Sequence, residues 1–120
     1  MAWSDKVVEA DTRKFMWEIL VPTEKRVPIE GHNPFYSTRY HKVWDSKVRA
    51  ITGGLTILTP AKGQWVAPDG ALFSERMIPV RIMCTRAEIE QIIDITLEYY
   101  DQRAVFCARV SEEVIIRHRK

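Results

Sequence analysis

Three features of the sequence predict an α+β sandwich. Apolar residues alternate near both ends of the chain, two amphipathic stretches lie between them, and the elements run strand, helix, strand, strand, helix, strand. Two βαβ halves in 120 residues predict the ferredoxin-like arrangement, a four-stranded antiparallel sheet with both helices on one face.

Each element has its own warrant. Residues 1–13 are polar and without a stable period, and are read as a flexible arm ahead of one domain over 14–120. Phe15, Trp17, Ile19 and Val21 share one face of a strand that Pro22 closes. Met16 and Leu20 on the other face predict a strand buried on both sides. The connection 22–39 contains Pro22, Pro28, Gly31, Asn33 and Pro34, all turn formers. A structureless loop of that length in a small domain points to a site. Tyr40, Val43, Trp44, Val48 and Ile51 fall on one helical stripe, with Ser37 or Thr38 as N-cap and Gly53-Gly54 as the stop. Leu55 to Leu58 begins the second strand, and Gln64-Trp65-Val66 continues it beyond a kink at Pro60 and Gly63. Pro68-Asp69-Gly70 makes a turn, because proline presets φ and glycine accepts positive φ. The third strand runs from Leu72 to Cys84. Pro79 within it cannot donate to a ladder and marks a bulge or a change of partner. Thr85-Arg86-Ala87-Glu88 is a capping box, and Ile89, Ile92, Ile93, Thr96, Leu97 and Tyr100 follow at helical spacing. Ala104 to Val110 is the last strand, which Val114-Ile115-Ile116 extends or follows with a short strand.

Composition narrows the function classes. Apolar residues at 46% and charged residues at 28% are globular values and argue against disorder. A net charge of +2 leaves no electrostatic footprint for nucleic acid, and the aromatic, basic signature of RNA-binding relatives of this fold is missing. Cys84 and Cys107 lie in apolar runs and read as buried thiols of a reducing compartment. The N-terminus lacks an apolar signal region, and no apolar run approaches the ~18–20 residues of a membrane span. A cytoplasmic location without membrane contact is expected. His32, His41 and His118 are far apart, and no metal, phosphate-loop or dinucleotide motif occurs, so neither metal nor cofactor is expected. Met16, Leu20, Phe106 and Val110 alternate away from the helix side and need cover. Another copy of the chain is the natural cover, which predicts a homo-oligomer, with a trimer as the first expectation.

The informative segment is Gly63 to Arg76, a hairpin arm bearing an indole (Trp65), an amide (Gln64), a carboxylate (Glu75) and a guanidinium (Arg76). Alternation puts Glu75 with Phe73 on one face and Arg76 with Ser74 on the other. Glu75 beside apolar groups could hold ribose hydroxyls or a cationic ligand, or could pair with Arg76, Arg81 or Lys62 on a solvated edge. Trp65 could stack on a base or pack under the hairpin.

The layout FMWEILV, TRYHKVWDSKVRAITGG, a polar hairpin, IPVRIMC, a helix ending in EYYDQ, and AVFCARV resembles the small phage enzymes that destroy S-adenosylmethionine, called hydrolases and better described as lyases. The resemblance covers roughly residues 14–116. The pattern GLTILTPAKGQW…E…IPVRI also resembles a bacterial family of small ferredoxin-like proteins of unknown function. The lyase resemblance implies a trimer with its active site between subunits. It also implies an intramolecular reaction in which the substrate carboxylate attacks its own γ-carbon, giving 5′-methylthioadenosine and L-homoserine lactone. It makes Glu75 the catalytic acidic residue, holding the ribose or orienting the sulfonium. Trp65 and Tyr40 would flank the adenine, with Gln64, Arg76 and His41 as further substrate contacts and backbone groups of 22–39 on the amino-acid part. Two other readings stand beside it: a non-catalytic sponge or sensor for a nucleotide-like metabolite, and a phage protein that binds a host protein.

Overall fold

The computed structural model describes residues 11–120. Most of the expected N-terminal arm lies outside the described residues, and residues 11–13 are exposed and form no regular element. The elements are β1 (Phe15–Pro22), α1 (Thr38–Thr52), β2 (Thr56–Ile57), β3 (Ala61–Val66), β4 (Leu72–Cys84), α2 (Arg86–Tyr99) and β5 (Cys107–Arg109). They form an antiparallel sheet in the order β2-β4-β1-β5, with β3 also paired to β4. This is the ferredoxin-like α+β arrangement.

One face of the sheet carries the core. Phe15, Trp17, Ile19 and Val21 of β1 alternate inward beside Val80, Ile82 and Cys84 of β4. Trp44 and Val48 of α1, Ile89 and Ile92 of α2, and Tyr100 pack on them. The buried polar atoms within this layer are matched: the indole N–H of Trp44 donates to Thr96 Oγ1 at 3.0 Å, and that hydroxyl donates to the Ile92 carbonyl at 2.6 Å. The α1 stripe is narrower than expected. Tyr40, Trp44, Val48 and Ile51 face the core, whereas Val43, one position off the row, is 44% exposed. Both helix starts are capped by side chains: Ser37 Oγ accepts from the Tyr40 N–H, and Thr85 and Glu88 exchange the two bonds of a capping box. Gly53 ends α1 at φ 84°, the left-handed conformation that glycine takes without penalty.

Of the four expected sheet positions, the outer one beside β4 is divided into β2 and β3, and Pro79 explains the break. Leu20 points its N–H at the Phe106 carbonyl on the β5 side. Its partner Pro79 therefore points its backbone groups at the opposite edge. There its carbonyl accepts from Leu58 at 2.9 Å, but its nitrogen has no hydrogen to give. β2 pairs as far as Val80, β3 resumes at Met77, and the gap spans the proline. Pro79 thus marks a change of partner, with continuous register to β1.

Two expectations need correction. The connection after β1 is not structureless: Glu24 bridges Phe35, Lys25 donates to the Pro34 carbonyl, and Tyr36 donates to the Thr23 carbonyl at 2.9 Å. It is a short ladder folded back over the end of α2, where the Tyr36 hydroxyl donates to the Tyr100 carbonyl at 2.7 Å. The last strand is shorter than 104–110. The Val110 N–H still reaches the Met16 carbonyl, but the Met16 N–H donates to Ser111 Oγ at 3.1 Å instead of to backbone. That side chain closes the ladder. Residues 114–116 form no strand, and Ile115 and Ile116 are 70% and 59% exposed. Among the described residues no helix is long and apolar enough to cross a membrane.

Candidate functional site

The face of the sheet opposite the helices is open. Strand parity places Met16, Glu18 and Leu20 of β1, Phe73, Glu75, Met77, Arg81 and Met83 of β4, Trp65 of β3 and Ala108 of β5 on it. Its centre is held by an ion pair between Arg81 and Glu18 at 3.2 Å. β4 has 13 residues, of which β1 covers only Met77 to Cys84, so the β3–β4 hairpin extends beyond the body of the sheet.

A cavity of about 440 Å³ lies where this hairpin leaves the body. Leu20, Met77 and Phe106 supply apolar surface, Trp65 an aromatic side, and Glu75, Arg26, Gln102 and Arg103 the polar groups. Local geometry brings Trp65 and Glu75 together. Gly63 is the direct cross-strand partner of Glu75, and the Trp65 ring lies over Gly63 so closely that a β-carbon there would sit 3.2 Å from Trp65 Cζ2. The indole is thereby laid beside the carboxylate. Among the described residues Glu75 forms no ion pair; Arg81 is engaged by Glu18, and parity puts Lys62 and Arg76 on the other face.

Arg26 comes from the ladder after β1. Its Nε donates to the Asp101 carbonyl at 3.0 Å and its Nη2 to Asp101 Oδ2 at 3.3 Å. It borders the Glu75 cavity, a cleft of about 350 Å³ beside it, and a cavity of about 530 Å³ under Tyr36 and Tyr40. Asp101 follows α2 with φ 48°, the one non-glycine residue with positive φ among those described.

The other residues singled out by sequence lie elsewhere. Gln64 is on the helix-side face of the hairpin, with Nε2 3.4 Å from Ser74 Oγ. Arg76 shares that face and borders the 350 Å³ cleft, and its carbonyl accepts from the Thr23 hydroxyl at 2.9 Å. Tyr40 lies stacked between Tyr36 and Tyr99, with ring centroids 4.8 and 4.2 Å away. The hydroxyls of Tyr40 and Tyr99 each donate to the other residue's carbonyl. His41 places Nδ1 2.6 Å from the Tyr100 hydroxyl. Burial lowers the His41 pKa, with Asp45 opposing, and burial raises that of Tyr100. Of the two aromatics expected to flank an adenine, Trp65 alone borders the Glu75 cavity within one chain. Burial likewise pushes the free thiols up, Cys84 to about 12 and Cys107 to about 11, which removes both as nucleophiles at neutral pH. Among the described residues no three His, Cys, Asp or Glu side chains gather as a metal set.

Sequence reasoning missed Arg26, Asp101, Gln102 and Arg103. The length of the 22–39 connection pointed to the right segment, but nothing in Glu24-Lys25-Arg26 tells which cation turns inward.

The fold and this cavity define the class: a ferredoxin-like protein with a polar and aromatic site at the base of a long hairpin. No family description and no curated protein matches the sequence. Solved structures do match the fold. A phage SAM lyase in complex with S-methyl-5′-thioadenosine is similar at 14% identity, covering 86% of this chain and 84% of the other, with a TM-score of 0.57. The periplasmic divalent cation tolerance protein CutA from Archaeoglobus fulgidus is similar at 8% identity over 87% and 88%, with a TM-score of 0.61. CutA1 from Thermus thermophilus gives 8% over 84% and 87%, with a TM-score of 0.58. Both kinds of resemblance drawn from the sequence thus have counterparts among structures that share the fold.

Proposed function

We propose that the chain is an S-adenosylmethionine lyase whose site is the cavity bordered by Trp65 and Glu75. The observation that carries this reading is the placement of an indole, and of a carboxylate with no ion pair among the described residues, over an apolar floor of Leu20, Met77 and Phe106. The fold shared with a phage SAM lyase supports it. Trp65 stacks on the adenine, and Glu75 accepts from the ribose hydroxyls or faces the sulfonium. The substrate carboxylate oxygen bonds to its own γ-carbon as the bond from that carbon to sulfur breaks. The electron pair goes to sulfur, giving neutral 5′-methylthioadenosine and homoserine lactone. No proton need move. Opposite charges on carboxylate and sulfonium cancel in this step, so the apolar floor favours the transition state over the charged ground state. The chain's main task is to fold the substrate into the attacking geometry. A second copy of the chain on the open sheet face closes the cavity, and a homotrimer is the assembly we propose.

Incubation with S-adenosylmethionine, followed by mass spectrometry, tests the reading. Methylthioadenosine with homoserine lactone is the expected product pair, and Glu75→Gln is expected to cut turnover roughly 10- to 100-fold, the worth of a hydrogen bond to a charged group. Homoserine without lactone from the earliest time point would make water the nucleophile. No turnover, with equal binding of substrate and methylthioadenosine, would identify a binding protein instead.

A further inference from the structure

We propose that Arg26 is the carboxylate receptor of the Glu75 cavity and that Asp101 holds it in place, so that the site selects ligands bearing a carboxylate beyond the adenosyl sulfur. The inference rests on the adenosyl-ligand reading of the same cavity and adds a specificity-determining group to it.

Arg26 has more hydrogen-bond donors than its partner Asp101 uses. A guanidinium has five N–H donors in a fixed fork. Asp101 takes two of them, through one carbonyl and one carboxylate oxygen. The rest have no protein acceptor among the described residues, and the side chain is only 33% exposed. It borders the cavity that Glu75 borders, yet the two do not pair. One cavity thus offers an anionic group and a cationic group at separate points, which matches a ligand carrying both charges. Arg103 also borders the cavity, but no hydrogen bond fixes its side chain among the described residues.

Asp101 is itself fixed by the end of α2. Its positive φ costs an aspartate energy that a glycine would not pay, and such strain persists where surrounding structure enforces it. Here the last turn of α2 enforces it: Asp101 donates to the Glu98 carbonyl at 3.2 Å and Gln102 to the Leu97 carbonyl at 2.9 Å. The carbonyl so exposed sits at a helix C-terminus, where a guanidinium is favoured. The substrate carboxylate is also the nucleophile of the proposed reaction, so its receptor orients the attacking group.

Calorimetric titration with S-adenosylhomocysteine and with methylthioadenosine, which lacks the amino-acid part, separates the possibilities. The wild type is expected to prefer S-adenosylhomocysteine at least about tenfold, the worth of a charge-assisted contact. Arg26→Gln is expected to bring that affinity down to the methylthioadenosine level, and Arg26→Lys to keep part of the preference. Asp101→Asn and Asp101→Gly both tolerate positive φ, so neither strains the turn, and Asn, which retains an oxygen acceptor, should preserve more of the preference. A preference that survives Arg26→Gln, or that Arg103→Gln removes instead, overturns the assignment. Wild-type binding of both ligands without preference overturns it too and leaves the adenosyl reading standing. Binding of neither ligand overturns the adenosyl reading itself.

Discussion

Thr96 is the one fully buried polar residue in the core of the described chain, and it is there to serve Trp44. Replacing it by valine keeps the volume but leaves the indole N–H without a partner in an apolar layer. Thr96→Val should therefore cost about 1–3 kcal/mol in urea unfolding. Trp44→Phe combined with it should cost less than the two single changes added together, because both partners are then gone. His41 gives a second test at this scale. Its pKa is lowered in the folded state by burial against the partly opposing charge of Asp45, while Tyr100 caps its Nδ1. As pH falls through the unfolded value near 6.5, the unfolded chain takes up the proton first. The stability present above that pH should be lost as pH drops toward the folded pKa. His41→Gln should flatten the dependence of melting temperature on pH between about 5 and 7, where an unperturbed histidine titrates. The stripe placing Trp44 in the core was legible in the sequence. Its hydrogen bond to Thr96 was not, because that pairing is set by how α1 crosses α2. Likewise Trp65 and Glu75 could be placed on one hairpin face from alternation alone, whereas Arg26 reaches Asp101 across 75 positions of chain.

At the scale of elements, local signals worked where they were strong. The Pro-Asp-Gly turn gives Gly70 a φ of 88°, and β4 begins and ends where alternation and the capping box require. Removing that box by Thr85→Ala should cost about 1 kcal/mol, read as a lower urea midpoint at unchanged slope. Elements whose ends depend on partners were not legible. β5 stops because Ser111 Oγ intercepts a ladder donor, and the connection after β1 is ordered by pairing between its two arms and by the bond from Tyr36 to the end of α2. The division of the outer strand was half legible: Pro79 announces a missing donor, but which edge it faces depends on the register with Leu20.

At the scale of the molecule, the helix-free face is apolar apart from the Arg81–Glu18 pair and Glu75, and Phe106 and Val110 at its border are 54% and 43% exposed. A face of that kind needs cover. Light scattering behind size-exclusion chromatography should give three times the chain mass of 14.0 kDa, and Leu20→Glu, which puts a charge into the proposed contact, should shift it toward the monomer. A wild-type monomer at micromolar concentration would remove the assembly from the account. The break at Pro79 bears on what kind of assembly can form. Unpaired strand edges invite other chains to add on without limit, the route to fibres. Here one edge is divided, at the gap facing Pro79, into strands of two and six residues, and the other edge strand is three residues long. The proposed contact is therefore a broad face bounded by short, divided edges, a shape that favours association that closes on itself over strand-by-strand growth.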